Sequence, residues 1–414
     1  ERPLFQRLFR SLIFSLFPYP QRLRLMTPFF YVYEKLGIRR VVESSGVLRA
    51  VSDNLAQMEE MLPKVNSLLP PPPLPEVVPA KGEKRFRVAL LTGCVQSVFF
   101  NRTNEATVRV LAENGCEVVI PEGQGCCGAL SVHSGRLSEG RDFAKGLIRK
   151  FEGLEVDALI INSAGCGSTI KEYGHILKDD PEYAERAGAI SAKARDVMEF
   201  LSEAGLTGNL RDLNIRVTYQ DACHLGHAQS IKDQPRSVIR QIPGIEFTEL
   251  AVSDVCCGSA GIYNLVQPEM SRKLLARKTS HVEETGADYI VAGNPGCLLQ
   301  IEKGIRQKEL RMKTAHPIEL LRILILRHPE APRQVGRHFR VRQFTDFKHL
   351  FAEKVFHVPV CELHAGKSEV FGVRGEGGPS AGAYLGRPSR ARADILYGVR
   401  HLERFARNVM QQKE

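Results

Sequence analysis

The sequence has no uninterrupted apolar run of the about 20 residues that a membrane-spanning helix needs, so no such helix is expected. It shows no convincing secretory signal, so for its cysteines, ten in all, the disulfide reading is weaker than the metal reading. No basic motif interleaved with aromatics is present. The +10 net charge is also unevenly spread, since residues 331–414 hold 15 Lys/Arg against 8 Asp/Glu, or +7 of it. The remainder is close to neutral, which argues against a nucleic-acid-binding core. A flavin-binding glycine signature is missing too, so oxidation of an organic substrate is not expected of this chain alone.

What is there is a duplication. Val88-Ala-Leu-Leu-Thr-Gly-Cys94, Gly125-Cys126-Cys127-Gly128 and Ala158-Leu-Ile-Ile-Asn-Ser-Ala-Gly-Cys166 return as Val217-Thr-Tyr-Gln-Asp-Ala-Cys223-His224, Val255-Cys256-Cys257-Gly258 and Tyr289-Ile-Val-Ala-Gly-Asn-Pro-Gly296-Cys297. The offsets are 129, 130 and 131 residues, a drift of one per landmark. Eight of the ten cysteines fall in this pattern. Cys116 and Cys361 lie outside it and read as free buried cysteines.

At 414 residues, 43% hydrophobic and 25% charged, the chain can bury two or three cores. Residues 1–68 read as a helical lead whose Phe-rich, basic first helix is stopped by Pro18 and Pro20. Such a helix can lie on a membrane surface, but packing against protein is weighted ahead of that. A Pro-rich linker spans 69–83, the first cysteine-rich repeat 84–212, the second 213–330, and a basic tail of unassigned role 331–414. Only 391–412 of that tail reads as a helix. Strands are expected over 87–94, 116–121 and 156–163, and again near 215–221, 246–251 and 287–293. Helices are expected about 101–114, 136–152 and 306–327. The fold class is α/β: two tandem three-layer domains with parallel sheets, preceded by the helical segment. Right-handed crossovers then bring every cysteine-bearing strand end to one edge of its sheet, where open α/β sheets bind ligands.

Four thiolates per copy, Cys94, Cys126, Cys127 and Cys166, then Cys223, Cys256, Cys257 and Cys297, suit an iron–sulfur cluster or zinc. Gly128 and Gly258, with Gly93, Gly165 and Gly296, are read as places where backbone approaches an inorganic centre, or else as ordinary turn glycines. Four cysteines already satisfy a tetrahedral site, so His224 and His227 are read as donors around the ligands or as loop residues, and His133, without a counterpart in the second copy, is ranked low as a ligand. Asp221 is read as orienting the Cys223 loop, against a solvated strand-end acid. No catalytic residue is assigned.

These units resemble the duplicated cysteine-rich domain found in heterodisulfide reductases and their relatives. Within that group, Asp221-Ala-Cys-His-Leu-Gly-His-Ala-Gln229, Val255-Cys-Cys-Gly-Ser-Ala-Gly-Ile-Tyr263 and Asn294-Pro-Gly-Cys-Leu-Leu-Gln300 resemble the iron–sulfur subunit family of bacterial glycolate oxidase, over roughly residues 1–325. The resemblance implies [4Fe–4S] chemistry in an electron-transfer subunit of a flavin-dependent 2-hydroxyacid dehydrogenase complex. FAD-containing dehydrogenase subunits would be its partners, with a ferredoxin-type subunit and membrane quinone in the same chain of transfer. No nucleic acid is implied, and the location is cytoplasmic, with a peripheral place at the inner face of the cell membrane open to it. Zinc in a docking subunit, and a heterodisulfide-reductase-like or lactate-utilisation subunit, are the alternatives. Relatives carry two Cys-x-x-Cys-x-x-Cys ferredoxin motifs ahead of the region matching residue 1, and these are absent from this sequence. The fullest family pattern also closes each unit with Cys-x-x-Cys, where this chain has Thr169 and Gln300.

Overall fold

A computed structural model describes residues 4–207 and 212–325. The expected helix over 391–412, Cys361 and the basic tail lie outside the described residues.

The lead forms helices Leu4–Leu16, Pro20–Lys35, Ile38–Ser45, Val47–Val51 and Asp53–Glu60. The first ends just before Pro18, and Pro20 opens the second at its first turn, where a missing N–H costs nothing. One face of the first helix buries Phe9, Ile13 and Phe14 against Ile262 and Leu265 of the second copy. Each such side chain contributes about 1.5–3 kcal/mol on burial. The opposite stripe, Leu4, Leu8 and Leu12, is 53–69% exposed.

Among the described residues, nine strands make two sheets. The first runs β1 (Val77–Val78), β3 (Cys116–Val119), β2 (Phe86–Leu90), β4 (Ala158–Ile161), β5 (Ala194–Asp196). The second runs β7 (Ile245–Glu249), β6 (Ile215–Tyr219), β8 (Tyr289–Val291), β9 (Lys313–Ala315). Apart from β1, every pairing is parallel, with matched registers such as Val88↔Ala158 and Val217↔Tyr289. Runs such as Val88–Leu91 and Ala158–Ile161 are fully buried, as strands covered by helices on both faces must be. The α/β expectation with two repeated parallel sheets and a helical lead holds.

Three details differ. The helix expected over 306–327 is broken: Pro295–Gln307 is one helix, β9 follows, and Pro317–Ile325 is another. Pro317 starts that second helix, and the three-residue strand before it is too short to show a period. Each sheet also gains a fourth parallel strand, β5 or β9, that hydrophobicity does not announce. Finally, β1 falls within the Pro-rich 69–83 stretch and pairs antiparallel with β3.

The copies exchange helices. The helix after β5, Val197–Ala204, packs on helix Asp233–Arg240 of the second copy. The helix after β9, Pro317–Ile325, packs on helix Asn101–Glu113 of the first, where the Thr103 hydroxyl donates to Glu319 at 2.6 Å. One hydrophobic core therefore mixes Val88, Leu111 and Leu201 with Val217, Val238 and Leu321.

Candidate metal centres

Because the strands run parallel, β2, β3 and β4 end on one edge, and Cys94, Cys126–Cys127 and Cys166 follow them there. Cys223, Cys256–Cys257 and Cys297 follow β6, β7 and β8 in the same way. Cys166 and Cys297 each sit in the first turn of a helix, Ala164–Lys171 and Pro295–Gln307, where the N-terminal dipole favours a thiolate.

In the first copy the Sγ atoms of Cys94 and Cys126 are 3.6 Å apart. Cys127 is within hydrogen-bonding reach of both Cys126 and Cys166. In the second, Cys223 reaches Cys256, Cys256 reaches Cys257, and Cys257 reaches Cys297. The two adjacent cysteines do not splay to opposite sides, because Gly128 (φ +82°) and Gly258 (φ +91°) turn the backbone after them. All eight sulfurs thus join, four by four. Each set is a row of contacts rather than a closed cage, and among the described residues no three Cys, His, Asp or Glu side chains already stand as a coordination shell.

Contact with Cys127 and burial push the Cys166 thiol well up, and contact with Cys126 pushes Cys127 up. Cys126, though favoured by Cys127, is raised by Cys94 and by burial. In the second copy Cys223 and Cys257 are raised by their bonds to Cys256. Cys256 itself is held well below the usual thiol range by Cys223 and Cys257. None of the described cysteines is in a disulfide. A buried row of thiols can be ionised together only beside a cation, and four sulfur donors are what an iron–sulfur cluster or zinc takes. The residues fit such a group.

The glycines act in a way the sequence alone does not separate. A Cβ on Gly128 would meet the Gly140 carbonyl at 2.7 Å, and one on Gly258 the Ser271 carbonyl at 2.8 Å. Helices Leu137–Phe151 and Pro268–Glu284, which carry those carbonyls, need the space. Their amides do serve the sulfurs: Gly128 N–H donates to Cys126 Sγ and Gly258 N–H to Cys256 Sγ, both at 3.3 Å. Asn294 Nδ2 donates to Cys297 Sγ at 3.4 Å, while its Oδ1 accepts from the Gly165 N–H at 3.3 Å in the other copy. The two sites share that residue.

His224 Nδ1 lies 3.5 Å from Cys223 Sγ, and its ring stacks on His133 of the first copy. His133 in turn meets the Thr169 hydroxyl at 3.2 Å. His227 is exposed and bonds the Asp254 carbonyl at 3.1 Å. Asp221 is not a solvated acid: it is 3% exposed and takes both Arg236 Nη atoms at 2.8 and 2.9 Å, and the Ser253 hydroxyl at 2.7 Å. Gln300 is buried in bonds with Asn264 and Ser271. Cys116, at the start of β3, is pushed up to about 11 by burial and lies apart from both rows.

Sequence reasoning missed Asn294 and the buried Lys278, whose Nζ donates to the Val252 carbonyl at 2.6 Å. The copy-to-copy alignment held the only signal, an amide or a lysine where the other copy has serine or leucine.

Residues 88–171 and 217–302 match a family described as the cysteine-rich domain, and residues 5–62 match the linker region of the glycolate oxidase iron-sulfur subunit. The chain is 42% identical over 328 residues to the probable glycolate oxidase iron-sulfur subunit of Bacillus subtilis, covering 78% of this chain and 73% of that one. It is 35% identical over 236 residues to lactate utilization protein A of Oceanobacillus iheyensis, covering 57% of this chain and 96% of that one. The lactate utilization protein A of Bacillus subtilis is 29% identical over the same length, covering 57% and 98%.

Proposed function

The chain belongs to the glycolate oxidase iron–sulfur subunit family, and from that premise we propose that each cysteine quartet holds an iron–sulfur centre that carries electrons away from a flavin-bearing dehydrogenase partner. The observation behind this is the gathering of eight repeated thiols, four by four, at the carboxyl edges of two parallel sheets.

Cys94, Cys126, Cys127 and Cys166 would hold one centre, and Cys223, Cys256, Cys257 and Cys297 the other. A bound cluster supplies one-electron chemistry. The chain's own part is to hold the sulfurs as thiolates, to direct the Gly128, Gly258 and Asn294 N–H groups at them, and to keep bulk water from the buried members. N–H···S bonds of this kind raise a cluster's potential. The hydroxyacid and FAD belong to partner subunits in this reading, with quinone as the eventual acceptor. Glycolate is favoured over lactate because residues 5–62 match the linker of the glycolate oxidase subunit.

No described helix is long and apolar enough to cross a membrane. The lead nevertheless exposes Leu4, Leu8, Leu12, Leu25 and Phe29, with Arg7, Arg22 and Arg24 in the same two helices. An exposed apolar stripe of this kind marks a docking face, which suits a partner subunit or the inner face of the membrane.

The test is oxygen-free purification followed by iron, acid-labile sulfide and zinc analysis. Iron and sulfide in near-equal amounts, with a brown absorbance that reducing agents bleach, are expected. A colourless chain with stoichiometric zinc and no sulfide would replace this reading by a structural one.

A further inference from the structure

The two copies are electrostatically unequal at one buried position. Gly140 and Ser271 occupy the same place, since their carbonyls lie against the glycines that follow the paired cysteines, Gly128 and Gly258. Seven residues on, two helical turns, stand Leu147 in the first copy and Lys278 in the second. Leu147 is fully buried and Lys278 is 1% exposed. Where one copy has a methyl-tipped side chain, the other has an ammonium.

Lys278 Nζ donates to the Val252 carbonyl at 2.6 Å and the Ser253 carbonyl at 3.3 Å, in the loop that leads to Cys256. Val252 sits at φ +49°, a strained conformation for a β-branched residue, and the ammonium's bonds hold that turn. Cys257, Cys256, Asp254 and Cys297 are the groups close enough for a negative charge on them to act on Lys278, and three of them are members of the second quartet. Burial pushes its own pKa down to about 8, so the lysine gains from any negative charge placed on those sulfurs.

We propose that Lys278 makes the second quartet the more oxidising of the two centres, so that electrons pass from the first copy to the second. The inference rests on the reading that each quartet holds a cluster. A buried positive charge favours the more negative, reduced state of a cluster beside it. With both clusters bound, the transfer would move one electron from the first quartet's cluster to the second's, oxidising one and reducing the other by one. No bond forms or breaks. The reduced flavin of the dehydrogenase partner supplies the electron and a quinone removes it. The His133–His224 contact, with centroids 4.5 Å apart, and Asn294, bonded to both copies, join the copies beside the sulfur rows.

The experiment is a potentiometric titration of the full chain followed by electron paramagnetic resonance. Cys166→Ser and Cys297→Ser, each removing one cluster, assign the signals. In the wild-type chain the second-copy cluster is expected to reduce at the higher potential. Lys278→Gln keeps a donor for the two carbonyls but loses the charge. It should move the second cluster's one-electron equilibrium at least tenfold toward the oxidised form, about 59 mV, and leave the first unmoved. Lys278→Arg should keep the wild-type value. A second-cluster potential unchanged in Lys278→Gln, or shifted equally with the first, overturns the inference, and so does a reversed order in the wild type, a test that needs no substitution at 278. If Cys297→Ser retains two clusters, it is the ligand reading underneath that fails, a result distinct from either.

Discussion

His133 and His224, contributed by different copies of the repeat, stack with ring centroids 4.5 Å apart and planes 37° from parallel. His224 Nδ1 lies 3.5 Å from Cys223 Sγ, and His133 bonds Thr169, one helical turn beyond Cys166. The two sulfur rows are thus tied by side chains at the junction of the copies as well as by the chain.

Cys257→Ser should empty the second site and lower thermal stability, because ligands drawn from three distant loops make binding free energy part of folding free energy. Cys116→Ser should leave the metal content unchanged. Metal per chain and the unfolding temperature of both variants, prepared without oxygen, check this. Full metal in Cys257→Ser together with loss in Cys116→Ser would refute the ligand assignment.

Gly258→Ala should cost about 2–4 kcal/mol, combining the penalty of a side chain at φ +91° with a Cβ only 2.8 Å from the Ser271 carbonyl. Gly46→Ala shares the left-handed backbone, at φ +64°, but meets nothing within 4 Å. It should cost no more than about 1–2 kcal/mol. Equal losses in a denaturant titration would show that the close approach to the helix is unimportant.

Asp221→Ala removes the buried one of Arg236's two carboxylate partners, leaving Glu249 at 3.0 Å, and should cost about 1.5–3 kcal/mol. Adding Arg236→Met should recover part of that, since the half-paired guanidinium is then gone. Stability measured through the double-mutant cycle decides it: purely additive losses would mean that the two residues act independently.

His316 caps helix Pro317–Ile325 by accepting the Ile318 N–H on Nδ1 at 3.2 Å, and burial lowers its pKa to about 3. The unfolded chain protonates this residue near its ordinary value of 6.5, whereas the folded chain resists until about 3. Between those values the unfolded state binds more protons, so stability falls as pH drops, by up to about 1.4 kcal/mol per unit. His316→Asn keeps an acceptor for the cap but does not titrate, and its stability should slope less between pH 6.5 and 5. Parallel slopes for the two chains would remove His316 as the cause.

The sheets and the convergence of cysteines were legible because buried parallel strands appear as unbroken apolar runs, and parallel strands put their carboxyl ends on one side. β5 and β9 were not, since Ala194–Asp196 and Lys313–Ala315 are too short and too polar for any period to emerge. Lys278 and Asp221 look like surface charges in sequence. Only the fold reveals that one is spent on loop carbonyls and the other on Arg236. Gly258 stands out in sequence for its cysteine neighbours, but its reason lies 13 positions away at Ser271, a separation no local pattern encodes.

The reciprocal packing of the two final helices bears on how such a chain arises. A single copy standing alone would leave the helix after its fourth strand without a seat, and would leave its first helix bare. Two identical single copies could satisfy each other by the same swap, and that arrangement has a two-fold axis. Joining them end to end converts a concentration-dependent pair into a permanent one. It also frees the halves to diverge, as Leu147 and Lys278 have.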